Sequence, residues 1–196
     1  MPVSDTAVAA ARRDSAPLVR DAVPADYPAI REVVIAAYRQ YADLIPPDIF
    51  SSYLADVLDL DTHARHGRLI VIEADERVCA FGAFYPDGST QGFPPEWASG
   101  RALAVQPDAR GNGAARALLA AGESLALQAG APVLAFHTHS YMTGAIALYE
   151  RLGYRRAPEF DVDMAAHFGG TGAAPIMAHA YFRYVTQQYL TLGRTR

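Results

Sequence analysis

With 196 residues, 51% of them hydrophobic and 19% charged, the chain has the balance of a soluble globular domain and enough length to bury a core. A net charge of −4 without any clustered basic stripe argues against a nucleic-acid partner, and no apolar run approaches the roughly 20 residues that a membrane-spanning helix needs. Cys79 is the only cysteine, so no intramolecular disulfide can form and a reducing, cytoplasmic setting is expected.

Residues 1–16 have no apolar signal core and mix Arg12 and Arg13 with Asp5 and Asp14. They are expected to form a disordered tail, with residues 17–196 as one domain. Leu18, Val19 and Arg20 read as a short first strand. Pro24 and the acidic residues beside it open a helix, in which Tyr27, Ile30, Val33, Val34, Ala37, Tyr38 and Tyr41 fall at helical spacing. Pro46 and Pro47 break it, and Ile49, Phe50, Tyr53, Leu54 and Val57 predict a second amphipathic helix that ends before Asp61. Tyr38, Tyr41, Leu44, Ile45 and Phe50 cluster around this junction. A core seam is expected there, with one wall of an acceptor pocket as the alternative.

The apolar, β-branched runs 68–73 and 77–85 form a hairpin at the centre of an antiparallel sheet. Residues 86–95, rich in Gly, Pro, Ser and Asp, read as a surface loop bordering the substrate opening. A strand over 102–105 must stop at Pro107, which lacks a donor. Arg110-Gly111-Asn112-Gly113 then supplies residues that tolerate positive φ, and a helix starts at Ala114 and stops at Ala129-Gly130. A strand over 133–136 follows, closed by His137 to Ser140. Thr143 is expected to cap the next helix, which carries Ala145, Ile146, Leu148, Tyr149 and Leu152 and stops at Gly153. The remainder reads as a strand over 154–160, a long loop over 161–175 with Gly169, Gly170 and Gly172 at its tip, and a last strand over 178–186.

The glycine loop from Arg110 to Ala115 carries most of the chemistry. A loop of this kind running into a helix leaves backbone N–H groups unpaired at the positive end of the helix dipole, a ready site for a phosphate or pyrophosphate. An ordinary strand-to-helix turn is the alternative. The absence of a Gly-Lys-Ser/Thr ending excludes a Walker-type loop, and Arg116 stands where the dinucleotide fingerprint needs glycine or alanine. Arg110-x-x-Gly113-x-Ala115 does resemble the coenzyme A pyrophosphate loop of GNAT-type N-acetyltransferases. Residues 138–154, Thr138-x-x-x-Met142-x-x-Ala145-x-x-Leu148-Tyr149-Glu150-Arg151-Leu152-Gly153-Tyr154, are similar to that family's second coenzyme-contacting segment. Many members have asparagine where Met142 stands.

The resemblance spans roughly residues 18–185. It implies an α+β fold with a mixed, mostly antiparallel sheet of about six to seven strands flanked by about four helices. It further implies an acyltransferase, with acetyl-CoA as co-substrate and a primary amine of a small molecule as acceptor. A non-catalytic acyl-CoA sensor and an enzyme acting on a protein amine are the alternatives. In such enzymes the amine attacks the thioester directly, so no protein nucleophile is needed and Cys79 reads as a strand core residue. The strand before the loop splays from its neighbour in this family, which assigns pantetheine to the backbone of Leu103, Ala104 and Val105. The pyrophosphate falls to Arg110, Gly111, Asn112, Gly113, Ala114 and Ala115, with charge added by Arg116. Thr138, Met142, Ala145 and Tyr149 make up the second coenzyme contact.

Tyr149 is the candidate proton donor to the departing thiolate. Members often place a glutamate base where this chain has Ser99, which leaves Glu96, acting through water, as the candidate base. His137 and His139 are alternatives, and an amine arriving neutral needs no base. The two histidines share a strand face but have no third ligand at metal-binding spacing, so no metal is expected. A homodimer is compatible with all of this.

Overall fold

The computed structural model describes residues 17–168 and 174–185. The first strand, Leu18–Asp21 (β1), is short and exposed at the edge of the sheet. Tyr27–Tyr38 (α1) follows a turn opened by Pro24 and continues as a tighter helical segment to Leu44. Pro47–Val57 (α2) begins at the proline pair. A separate helix, Leu60–His66 (α3), then forms where no element was expected, capped by Asp59, which accepts from the Thr62 amide at 3.1 Å.

Arg68–Ala74 (β2) and Arg77–Tyr85 (β3) pair across Asp75 and Glu76. At φ 50° and 59° both sit in left-handed backbone, which suits the right-handed twist of a two-residue hairpin. Ala98–Val105 (β4), Ala114–Gln128 (α4), Val133–His139 (β5) and Thr143–Arg151 (α5) come next. Arg155–Arg156 (β6), Val162–Asp163 (β7), Met164–His167 (α6) and Met177–Tyr184 (β8) complete the order. The sheet runs β1-β2-β3-β4-β5-β8-β6, with β7 also on β8, and only β4 and β5 are parallel. This is a mixed, mostly antiparallel α+β sheet, as expected, with eight strands and six helices among the described residues.

Several boundaries differ from expectation. Residues 154–160 do not make one strand: Pro158 starts a 3-10 turn, and only Arg155 and Arg156 pair with β8. The segment after Asp161 is not simply loop. Asp163 Oδ1 accepts from the amides of Ala165 and Ile176, both at 3.0 Å, and so holds a helical turn against the end of β8. Thr143 is the first helical residue of α5 rather than its cap. The glycine-rich loop tip, Thr186 and the tail over 1–16 lie outside the described residues.

Both faces of the sheet are covered, so its central strands read as continuous apolar runs. Leu69 and Val71 of β2 meet Ile30, Val33 and Val34 of α1 on one face. Ile70 and Ile72 meet Leu118, Leu119 and Ala126 of α4 on the other. The alternation follows from the two-residue period of a strand. Gly122 brings α4 close to the sheet: a Cβ there would stand 2.1 Å from Cε1 of Phe84. Phe84 is itself 3% exposed and edge-on to Phe136, so its ring yields only by giving up that packing. Alanine at a helix interior usually gains about 1 kcal/mol over glycine. Here overpacking, at roughly 1–3 kcal/mol, outweighs that gain. Gly122→Ala is therefore expected to destabilise by about 1 kcal/mol net, read as a lower urea midpoint with unchanged m-value; a raised midpoint would show that the helix backs away freely.

Candidate active site

The site is made where β4 parts from β5. The two strands pair only over Ala98, Ser99 and Gly100, opposite Leu134, Ala135 and Phe136. Gly100 permits this close parallel contact, since a Cβ on it would lie 2.2 Å from Cε1 of Phe136. Beyond it, the β4–β3 register slips between Phe81 and Ala83, and Ala102 takes φ 58°. An alanine in left-handed backbone costs about 1–2 kcal/mol, and such strain gathers at functional sites. The resulting bulge re-aims the strand. Ala102 and Ala104 stay buried, while Leu103 and Val105 turn half-buried into the gap.

A cleft of about 740 Å³ fills that gap. One end is the glycine loop, where Gly111 and Gly113 have φ 84° and 85° with open space around a Cβ at either position. Among the described residues, no protein acceptor takes the amides from Gly111 to Arg116; the first intrahelical bond is Ala117 N to Gly113 O, at 2.9 Å. These amides and the start of the 15-residue helix α4 make a cradle for an anion. Arg110, Arg116 and Arg151 line the same cleft. Arg110 also ties the loop to α1, its Nη1 donating to Gln40 Oε1 at 3.3 Å and its Nη2 to the Ala37 carbonyl at 3.4 Å. The middle of the cleft is apolar, walled by Leu103, Val105, Met142, Ala145 and Leu148. Charged at one end and greasy along its length, it suits a long ligand with a diphosphate.

A smaller chamber of about 290 Å³ adjoins it. Cleft and chamber share Tyr38, Leu103, Met142, Ala145 and Tyr149, so a group at the end of one reaches the other. Tyr149 is 5% exposed, its ring stacked on Phe136 at 5.6 Å and 10°. Burial pushes its hydroxyl pKa above the ordinary tyrosine value, and among the described residues no protein group bonds that hydroxyl. Gly153, at φ 82°, ends α5 in a Schellman turn, with Tyr154 N donating to Tyr149 O at 2.9 Å. That turn holds the C-terminal end of the helix bearing Tyr149.

Of the residues expected at the site, Leu103, Val105, Arg110, Gly111 and Gly113 line the cleft, as do Ala114, Ala115, Arg116, Met142, Ala145 and Tyr149. Asn112 is exposed on the loop with its side chain outside the lining, and Ala104 packs into the core under α1. Each brings only its backbone to the site. Thr138 lines the chamber rather than the cleft. Glu96 is exposed in the turn before β4 and lines neither cavity. The aromatic cluster serves both expected purposes: Tyr38 packs in the core and also walls both cavities. Arg101 and Tyr53 of the chamber were not anticipated, and no local pattern marks them.

His137 and His139 both line the chamber. His137 Nε2 sits 2.8 Å from the Phe160 carbonyl. His139 stacks on Tyr141 at 5.0 Å and reaches the Met177 carbonyl through Nδ1 at 3.4 Å. Among the described residues no group of three or more His, Cys, Asp or Glu is placed to hold a metal. Burial, the largest cause, pushes the His139 pKa down to about 4. The unfolded chain takes up that proton near pH 6.5 and the folded chain only near pH 4, so stability falls as pH drops between those values. This group alone is expected to remove about 2 kcal/mol by pH 5. Urea unfolding at pH 7.5 and pH 5 should show the loss, and His139→Phe should shrink it by that amount. An equal pH response in the variant would contradict the assignment.

The splayed parallel pair, the bulged strand and the glycine cradle at a helix start define an acyltransferase of the GNAT fold. Residues 31–154 match the model of the Acetyltransferase (GNAT) family, and the chain belongs to that family. Solved structures agree on the fold. The PaiA N-acetyltransferase of Thermoplasma acidophilum, in complex with coenzyme A, is 12% identical with a TM-score of 0.65, over 87% of this chain and 99% of that one. A GNAT-family acetyltransferase from Desulfovibrio desulfuricans gives 20%, 0.64, and coverage of 87% and 100%. One from Brucella melitensis, in complex with acetyl-CoA, gives 24%, 0.54, and coverage of 71% and 83%. No curated protein gave a significant match. No helix among the described residues is long and apolar enough to cross a membrane.

Proposed function

We propose that this protein is an N-acetyltransferase that moves an acetyl group from acetyl-CoA to the primary amine of a small molecule. The observation that carries this reading is the opening between cleft and chamber at Leu103 and Tyr149. Acetyl-CoA supplies a thioester carbon that an amine can attack directly. The free amides from Gly111 to Arg116 and the arginines beside them hold the diphosphate. The unpaired edge of β4 over residues 101–105 takes the pantetheine arm, and a backbone N–H there faces the thioester oxygen. Holding both reactants at one opening converts an encounter into a positioned step. As the carbon–nitrogen bond forms and the carbon–sulfur bond breaks, Tyr149 gives its proton to the sulfur. The proton lost by the amine restores the tyrosine through solvent.

Glu96 has no part in this scheme. Residues 17–196 act as one catalytic domain, and a cytoplasmic setting suits the single buried thiol of Cys79. A homodimer is compatible with this scheme. Calorimetry with acetyl-CoA, combined with thiol release over a panel of amines, tests the proposal. Binding with turnover of small amines supports it. Binding without turnover of any amine points to an acyl-CoA sensor, turnover of peptides alone to a protein acetyltransferase, and absence of binding overturns both.

A further inference from the structure

The chamber beyond Tyr149 is chemically one-sided. Among the described residues that line it there is no aspartate or glutamate, whereas Arg101 is present. The Arg101 side chain is 22% exposed, and its Nη2 donates to Asp56 Oδ2 of α2, a residue that does not line the chamber. Among the described residues, Nε and Nη1 have no protein acceptor. Asp56 thus fixes a side chain that would otherwise be mobile while leaving most of its donor fork unused.

A second polar group points the same way. Thr138 is 2% exposed and lines the chamber, and its Oγ1 has no hydrogen-bond partner. A buried hydroxyl is costly to leave unpaired. His137 and His139 are both pushed by burial toward their neutral forms and supply no counter-charge. The rest of the wall is largely apolar, with the rings of Tyr38, Tyr53, Phe136 and Phe168 beside aliphatic Leu103, Val162 and Met164, and with Thr90, Gln91 and His167 as its other polar groups.

We infer that the acceptor is an amine that also carries a carboxylate, an amino acid or close relative with an aromatic or branched apolar side chain, and that Arg101 and Thr138 hold that carboxylate. This rests on the acetyltransferase reading above and narrows it. A cationic polyamine finds no carboxylate among the described lining residues and meets the donor edge of a guanidinium whose one carboxylate partner, Asp56, lies outside the lining. A carboxylate finds a guanidinium edge, the geometry that favours two parallel hydrogen bonds. The chamber's 290 Å³ lies at the small end for ligand sites and suits one residue-sized body.

The wild-type enzyme tests this with matched acceptors: phenylalanine, phenylalanine amide, 2-phenylethylamine and spermidine. The free carboxylate is expected to raise kcat/KM at least about 30-fold over the amide and the decarboxylated amine, mainly through KM. Arg101→Lys keeps a charge for Asp56 but loses the fork. It is expected to raise KM for phenylalanine about ten-fold more than for phenylethylamine. Equal or better use of the amide, the decarboxylated amine or spermidine overturns the inference, as does an Arg101→Lys variant that slows every acceptor alike.

Direct binding separates this from the enzyme reading. Calorimetry of N-acetylphenylalanine and N-acetylphenylethylamine, with coenzyme A present, needs no turnover. A preference for the carboxylate that disappears in Arg101→Lys upholds the chamber assignment even where catalysis fails, and equal binding of the two ligands ends it.

Discussion

Gly113→Val is expected to abolish acetyl-CoA binding in a protein that still folds. Gly113 sits at φ 85° and ψ −2°, immediately before α4, with nothing within 4 Å of the position a Cβ would take. The substitution therefore meets no neighbour, and its folding cost is the backbone strain of a branched residue at positive φ, about 1–3 kcal/mol. That is a fraction of the stability of an ordinary domain. Binding suffers differently. The same open space is the approach by which a diphosphate reaches the amides of residues 111–116, and an isopropyl group there holds it off. Each charge-assisted hydrogen bond lost is worth roughly 1.5–3 kcal/mol. Losing two of them weakens affinity by at least about a hundred-fold.

The control lies at the other end of the same helix. Gly130 has φ 74° and equally open surroundings, and it closes α4 through Ala131 N donating to Ala126 O at 2.9 Å. Gly130→Val imposes comparable strain away from the cleft. It should lower the urea midpoint by a similar amount while acetyl-CoA still binds. Should the two variants bind equally well in calorimetry, the amides of the loop are not the anion cradle.

How far these features can be read from sequence depends on the range of the forces that make them. Both Schellman stops of α4 and α5 are local: a glycine at the right place suffices, and Gly130 and Gly153 are both visible as such. The anion cradle is equally local, being a property of six consecutive residues. The bulge at Ala102 is different, because alanine is no signal for left-handed backbone, and the register slip is imposed by pairing with β3. Arg101 reaches the chamber where β4 parts from β5, and its side chain is held by Asp56, 45 residues earlier in the chain. The short helix α3 had a local signal in Asp59 at its cap, overshadowed by the end of α2. Glu96 lies one helical turn in sequence before Ser99, but the segment there is a turn rather than a helix, and its side chain is exposed and lines neither cavity although Thr90, Gln91 and Gly92 reach the chamber.

Tyr149→Phe is expected to lower kcat by roughly 10²- to 10⁴-fold, the usual worth of a positioned general acid, with little change in acetyl-CoA affinity. The substitution deletes a single oxygen. The ring keeps its stack on Phe136 and its contacts with Tyr154 at 5.7 Å and Tyr181 at 6.0 Å. Among the described residues no protein acceptor loses a partner, so folding stability should stay within about 0.5 kcal/mol. Because burial raises the tyrosine pKa, the wild-type donor stays protonated through neutral pH, and any fall in rate from its ionisation is displaced to the alkaline side of about 10. The cleft offers other hydroxyls, which makes the experiment discriminating. Tyr38 packs its ring against Tyr53 at 5.7 Å and lines both cavities, while Tyr141 has a buried hydroxyl with no partner. A Tyr149→Phe enzyme with unchanged kcat and a weakened acetyl-CoA affinity would reduce that tyrosine to a packing residue, and the donor would then have to be sought at Tyr141.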